Sequence, residues 1–251
     1  MTRVATLIAL ALLIAPVVHA SDAWVLQGIA AGSNGDCDDI TWTGLLLFAN
    51  TGTSDAVVRS FDSDVTLTVP AGGSLVTPPI QWIRNQSLYT MHLDVPPGVV
   101  VQSRLELGGR HRCPPIPPEI LLAGIYGRIV IPVRTALQPP NTPALHLGTD
   151  LGRNSARNNV AIFNGGSASA NVHIETRRGC DGAVLDARDA VVPPGATVQI
   201  NNLDATSTCQ SAPLLLTPWV VSTVVTADQP TASWVSSIVN GRPMSVFYDI
   251  E

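Results

Sequence analysis

Apolar and polar residues alternate with a period of two through much of this chain, and that alternation predicts β-strands. In residues 40–48, Ile40, Trp42, Leu46 and Phe48 fall on one face. Val65, Leu67 and Val69 form a second alternation, which Pro70-Ala71-Gly72 ends and Leu75 and Thr77 resume. Val99, Val101 and Leu105 line one face of a later strand. Outside an apolar run at the N-terminus, no segment keeps a helical period. Short strands at spacings near ten residues, punctuated by Gly, Pro, Asn and Asp, predict an all-β sandwich or barrel.

The pattern occurs twice. Phe48-Ala49-Asn50-Thr51-Gly52 is answered by Ile162-Phe163-Asn164-Gly165-Gly166, and Val69-Pro70-Ala71-Gly72 by Val192-Pro193-Pro194-Gly195. A third match, Pro97 to Gly108 with Pro230 to Gly241, pairs Val99, Val101 and Leu105 with Ala232, Trp234 and Ile238. The offsets are about 114, 123 and 133 residues. Parity then places Val160 and Ile162 inward like Leu46 and Phe48, and Ala170 and Val172 inward like Ala56 and Val58. Asn50-Thr51-Gly52 and Asn164-Gly165-Gly166 are read as turns whose residues tolerate left-handed backbone. Two immunoglobulin-like β-sandwich domains of seven or eight strands each are expected, at residues 21–113 and 127–251. Between them lies an interdomain segment, 114–126, that is proline-rich and then apolar. Trp24-Val25-Leu26-Gln27-Gly28-Ile29 and Arg128-Ile129-Val130-Ile131-Pro132-Val133 are the expected opening strands, and residues 244–251 a closing one.

A strand ending in Asn-x-Gly, a returning strand, then Val-Pro-x-Gly before another strand resembles tandem immunoglobulin-like modules of uncharacterised exported bacterial proteins. That resemblance covers most of the chain and rests on turn chemistry. It implies a structural or binding role and carries no catalytic residues with it.

Residues 1–20 read as a secretory signal: Arg3 gives the positive start, Val4 to Val18 the apolar run, and Val18-His19-Ala20 the small-residue cleavage site. The run is short for a bilayer span and contains Pro16. An exported mature chain is expected, periplasmic, outer-surface or extracellular, with no membrane span of its own. The four cysteines agree with an oxidising compartment: Cys37 and Cys113 in one half, Cys180 and Cys209 in the other. Four cysteines allow three connectivities. Separately folding halves would pair Cys37 with Cys113 and Cys180 with Cys209, each closure contributing roughly 3–5 kcal/mol. All fourteen basic residues are arginine, which excludes lysine-dependent chemistry. With a net charge of −5 and no basic cluster, nucleic acid is excluded as a partner.

Candidate chemistry is sparse, and no cofactor is expected. Asp36, Asp38 and Asp39 form the densest acidic cluster, a weak calcium candidate without an EF-hand pattern. The histidines lack zinc spacing, no Gly-x-Ser-x-Gly elbow exists, and the chain is read as a non-enzyme. His173 should point to solvent. Arg153, Arg157, Arg177 and Arg178 make the second copy the more basic and would hold an anionic polymer or a partner's carboxylates if they converge. Trp42 and Trp234 fall on inward rows, whereas Trp82 and Trp219 precede strands and are candidate sugar-stacking platforms. The expected function is noncatalytic: cell-surface assembly, adhesion or partner recognition, through a protein or a cell-surface polymer, with an exposed strand edge as one route. The alternative is a carbohydrate-binding module; a pilus-type subunit and a hydrolase on a β-scaffold rank below it.

Overall fold

The computed structural model describes residues 21–27, 38–77, 89–111, 123–150, 156–179, 181–203, 219–239 and 244–247. Sixteen strands and no helix occur among them. The first half contains β1 (Ser21–Gln27), β2 (Asp38–Asn50), β3 (Ala56–Ser60), β4 (Thr66–Val69), β5 (Ser74–Thr77), β6 (Tyr89–Val95), β7 (Val99–His111) and β8 (Ala123–Ile131). The second contains β9 (Ala144–Asp150), β10 (Ala156–Asn164), β11 (Ala170–Arg178), β12 (Val184–Val192), β13 (Thr197–Leu203), β14 (Trp219–Ala227), β15 (Thr231–Val239) and β16 (Met244–Phe247). Four antiparallel sheets result: β1-β6-β3-β4 and β5-β2-β7-β8, then β9-β14-β11-β12 and β13-β10-β15-β16. Adding eight to every strand number of the first half reproduces the pairing of the second, so the duplication seen in turn residues extends to topology.

Two expectations change here. In an immunoglobulin domain the order is A-B-E-D against C-F-G. In each half of this chain the first strand pairs with the sixth, and the second with the fifth and seventh. The likeness is therefore one of sandwich architecture and not of strand order. Second, the segment expected to end the linker and open the second domain is β8. It pairs with β7 from Ser103↔Ile131 to Arg110↔Ala123 and completes a sheet of the first half.

Each half buries one core between its two sheets. Val25, Val58, Leu93 and Val95 of one sheet meet Leu46 and Phe48 of the other. In the second half Val172, Ile174 and Val225 meet Val160, Ile162 and Val235. Parity set these faces, since residues two apart on a strand share a side.

The repeated asparagines have a different job from the one expected. Asn50 and Asn164 are buried and lack positive φ; within the matched motifs the left-handed residues are Gly72 (φ +61°) and Gly195 (φ +67°), of the Val-Pro-x-Gly turns. Asn50 Nδ2 donates to Ser54 O (2.9 Å) and Val69 O (3.1 Å), while its Oδ1 accepts from Gly52 N (2.9 Å). Asn164 repeats this with Ala168 O (2.7 Å), Val192 O (2.9 Å) and Gly166 N (2.8 Å). One side chain thus satisfies three backbone groups at the sandwich end, twice over.

A third core joins the halves. Leu26 and Ile131 pack on Ala161, Ala232 and Trp234, flanked by Leu137 and Phe163. Trp234 is 1 % exposed, its Nε1 donates to Pro132 O (2.8 Å), and the Arg134 guanidinium lies 5.8 Å from its ring centroid. Ala232 and Trp234 were expected inside the second sandwich; they lie on the opposite face of that sheet from Val235. The cause is a one-residue register difference. Asn50 pairs with Val99 and Asn164 with Thr231, an offset of 132 and not 133. A shift of one residue turns every side chain to the other face.

Candidate functional site

The strand order exposes the outer face of β1-β6-β3 in the first half and of β9-β14-β11 in the second. The registers Trp24↔His92 and Arg59↔Asp94 correspond to Leu145↔Val224 and His173↔Thr226. These are one surface in two copies, and the copies differ in chemistry.

In the second half β11 alternates, with Ala170, Val172, Ile174 and Thr176 inside and Asn171, His173, Glu175 and Arg177 outside. His173 Nδ1 lies 2.7 Å from Asp189 Oδ1 on β12, its cross-strand partner, and Nε2 lies 3.2 Å from Glu175 Oε1. Arg177 donates to Glu175 Oε2 through Nε (2.9 Å) and also through its terminal nitrogen. Asn171 donates to Asp228 through its backbone N–H (2.8 Å) and Nδ2 (2.6 Å). A depression of about 530 Å³ at one end of this row is lined by Asn141, Asn171, His173, Asp189, Thr226 and Asp228 among others.

The ladder alternates in sign. The hydrogen bond to Asp189, then that to Glu175, raises the His173 pKa above its ordinary value, because both carboxylates favour the imidazolium. Glu175 is held below the usual carboxylate range by Arg177 first and His173 second. Asp228 is lowered by the hydrogen bonds from Asn171. Both ring nitrogens of His173 are thus engaged by carboxylates. Solvent screens exposed pairs of this kind, so they add little to stability.

In the first half the same surface is aromatic. The His92 ring stacks on Trp24 (centroids 4.5 Å, planes 8° apart) and against Phe61 (4.3 Å, 32°). Asp22 Oδ1 lies 3.4 Å from His92 Nε2. The turn after β3 is tied to β6, since His92 N donates to Asp62 Oδ2 (2.7 Å) and Phe61 N to His92 O (2.9 Å). Phe61 nevertheless remains 58 % exposed.

A cleft of about 430 Å³ opens at the seam between the halves, lined by Arg134, Gln138, His146, Thr231 and Ser233 among others. His146 is buried with Nε2 2.8 Å from Ser233 Oγ, and Arg134 donates to Ser233 O (2.7 Å).

Of the residues singled out in the sequence, Arg177 and Arg178 are described with their side chains. Each meets a carboxylate of its own chain: Arg177 meets Glu175, and Arg178 lies 3.6 Å from Asp181. Arg153, Trp82, Asp36 and all four cysteines lie outside the described residues, as does the signal segment. Arg157 sits in β10 opposite Ile238, Trp219 in β14 opposite Asp150, and Asp38 and Asp39 in β2 opposite His111 and Arg110. The side chains of these four, and of Trp42, are outside the described set. Among the described residues no group of three or more His, Cys, Asp or Glu side chains is placed to hold a metal ion. No helix among them is long and apolar enough to cross a membrane. Sequence reasoning missed Phe61, His92, Asp189 and Arg188. Arg188 bridges Asp186 (2.7 Å) to Asn201 O (2.9 Å) and Asn202 O (2.7 Å), clasping one sheet to the other. The usable signal was the parity of Arg59, His173 and Glu175 on outward positions of equivalent strands, continued by Phe61 just past the end of β3.

No family model matches the sequence, and no curated protein does. Among solved structures, the chain aligns over 92 % of its length with Bacteroides uniformis beta-glucuronidase 2 covalently bound to cyclophellitol-6-carboxylate aziridine, at 11 % identity and TM-score 0.21. A crystal structure of Bacteroides uniformis beta-glucuronidase aligns over 84 % at 11 % identity, also with TM-score 0.21. The chain spans 31 % and 25 % of those two proteins. Likeness at this level carries no argument about fold or activity.

Proposed function

We propose that this chain is a noncatalytic exported binding protein of two tandem β-sandwich modules, acting in cell-surface assembly, adhesion or partner recognition. The observation that carries this reading is one outer surface built twice on one frame and furnished differently, with a charge ladder in one copy and an aromatic stack in the other. A rigid core with divergent exposed faces suits recognition. The signal-like N-terminus and the cysteine usage support export. The partner presents polar or charged groups to the ladder, as a protein or a cell-surface polymer does.

The test is retention of the purified chain on a cell-envelope fraction, wild type against Glu175→Arg and Asp189→Arg. Both positions are surface pairs, so folding should be retained. About tenfold weaker retention, with loss of the wild-type salt dependence, is expected when charge complementarity is broken. Equal retention of wild type and both variants would remove the ladder from the function. Turnover in a broad panel of esters, glycosides and peptides would overturn the noncatalytic reading.

A further inference from the structure

We propose that the outer face of β1 and β6, with the turn after β3, binds a neutral pyranose saccharide on the rings of Phe61 and Trp24. This deepens the binding reading above and rests on it. Three observations converge. First, Trp24 and Phe61 each pack on the His92 ring, so the three form one aromatic group on this surface that can receive a ligand. Phe61 is the most exposed of the large aromatic side chains described with their burial, at 58 %. Such a ring forfeits hydrophobic stabilisation unless something flat and partly apolar covers it. The C–H-bearing face of a pyranose fits, because its weakly positive hydrogens lie against the negative face of an aromatic ring.

Second, groups that match hydroxyls flank the stack. Asp22 shares a face of β1 with Trp24, Asp94 shares a face of β6 with His92, and Arg59 on β3 lies opposite Asp94 in register. Carboxylates accept from sugar hydroxyls and the guanidinium donates to them. Asp22, Asp62 and Asp94 outnumber Arg59, so the surroundings are acidic and repel uronates and other anionic polymers. Third, the stack belongs to one copy. Leu145, Val224 and Glu175 stand at the second-half positions equivalent to Trp24, His92 and Phe61. The shared frame therefore does not require these rings, which a purely structural role would.

Affinity electrophoresis of the full chain through gels holding hydroxyethyl cellulose, laminarin, xylan or polygalacturonate tests the site. Retardation by at least one of the three neutral polymers is expected, and none by polygalacturonate. Phe61→Ala should weaken retardation about tenfold, as loss of a central aromatic contact does, with an unchanged urea midpoint because the ring is exposed. Trp24→Phe, which keeps an aromatic face, should weaken it less. No retardation by any neutral polymer, retardation by polygalacturonate alone, or equal retardation of wild type and Phe61→Ala would each overturn the proposal. Envelope retention that survives Phe61→Ala but falls with Glu175→Arg would refute the saccharide site while leaving the general binding reading intact.

Discussion

Replacing Asn164 by alanine is the sharpest test of how this fold is held at its ends. The side chain is fully buried and makes three hydrogen bonds, to Ala168 O, Val192 O and Gly166 N. Each such bond contributes about 1 kcal/mol net, and a buried carbonyl left without its donor costs about 1–3 kcal/mol. The expected loss is about 3 kcal/mol, a large fraction of the stability of an ordinary domain. Asn164→Asp refines the reasoning. It keeps an acceptor for Gly166 N–H but turns oxygen toward Ala168 O and Val192 O, so it should destabilise at least as much as alanine. Urea unfolding of the full chain, followed by tryptophan fluorescence and far-ultraviolet dichroism at constant m-value, measures both. With m near 2–3 kcal/mol/M, the alanine midpoint should fall by about 1 M. Asn50→Ala should behave alike, because its three partners occupy equivalent places, and the two losses should add within about 0.5 kcal/mol. An Asn164→Ala midpoint within experimental error of wild type, or an aspartate variant as stable as wild type, would refute the role.

Three other outcomes follow from the same geometry. Gly195→Ala should cost about 1–2 kcal/mol in urea unfolding purely from its φ of +67°, since no atom lies within 4 Å of an added Cβ, and Gly195→Asn should cost less. Trp234→Ala empties the core between the halves and should cost about 3–5 kcal/mol, splitting a single calorimetric transition into two as the halves uncouple. For pH, His173 has a raised folded pKa, so its contribution is complete below the unfolded value of about 6.5 and is lost as pH rises through the folded value. Glu175 has a lowered folded pKa, so its contribution is present above about 4.3 and is lost as pH falls through the folded value. The ladder is thus most ordered between those limits. An NMR titration of the His173 ring should show its midpoint move down toward the ordinary value in Asp189→Asn; an unmoved midpoint would remove Asp189 as the principal cause.

Much of the architecture was legible because packing obliges it to be. Leu46 and Phe48, or Val160 and Ile162, must share a face if a sheet is to cover a core, and period two records that directly. The Asn-x-Gly and Val-Pro-x-Gly matches were also legible, although the reason for the first was not. Sequence shows that an asparagine begins a turn, but not that its amide is folded inward onto carbonyls from two other segments. The third match failed by one residue for a physical reason. Ala232 and Trp234, which meet the first half of the chain, are more apolar than the sandwich-facing Thr231 and Ser233, so alternation pointed to the wrong face. β8 was disguised for a simpler reason: its apolar run reads as a linker core as readily as a strand.

The candidate surface was less legible because it is assembled across distance. His173 meets Asp189 only through the β11–β12 register, and Trp24 meets His92 only because the first strand pairs with the sixth. No local spacing encodes either contact. What sequence does supply is the comparison of the copies. Positions fixed by packing keep their character in both: Val58 answers Val172, and Asn50 answers Asn164. At the equivalent outer face Phe61 faces Glu175, Arg59 faces His173, and Trp24 faces Leu145, once strand order shows which residues correspond. Core chemistry accounts for the first set and for nothing in the second. The divergence of that one face, on a frame that repeats strand for strand, is the reason to seek the ligand there and not at the buried Ser233–His146 pair, which links the two sheets of the second half and whose burial is already explained by their packing.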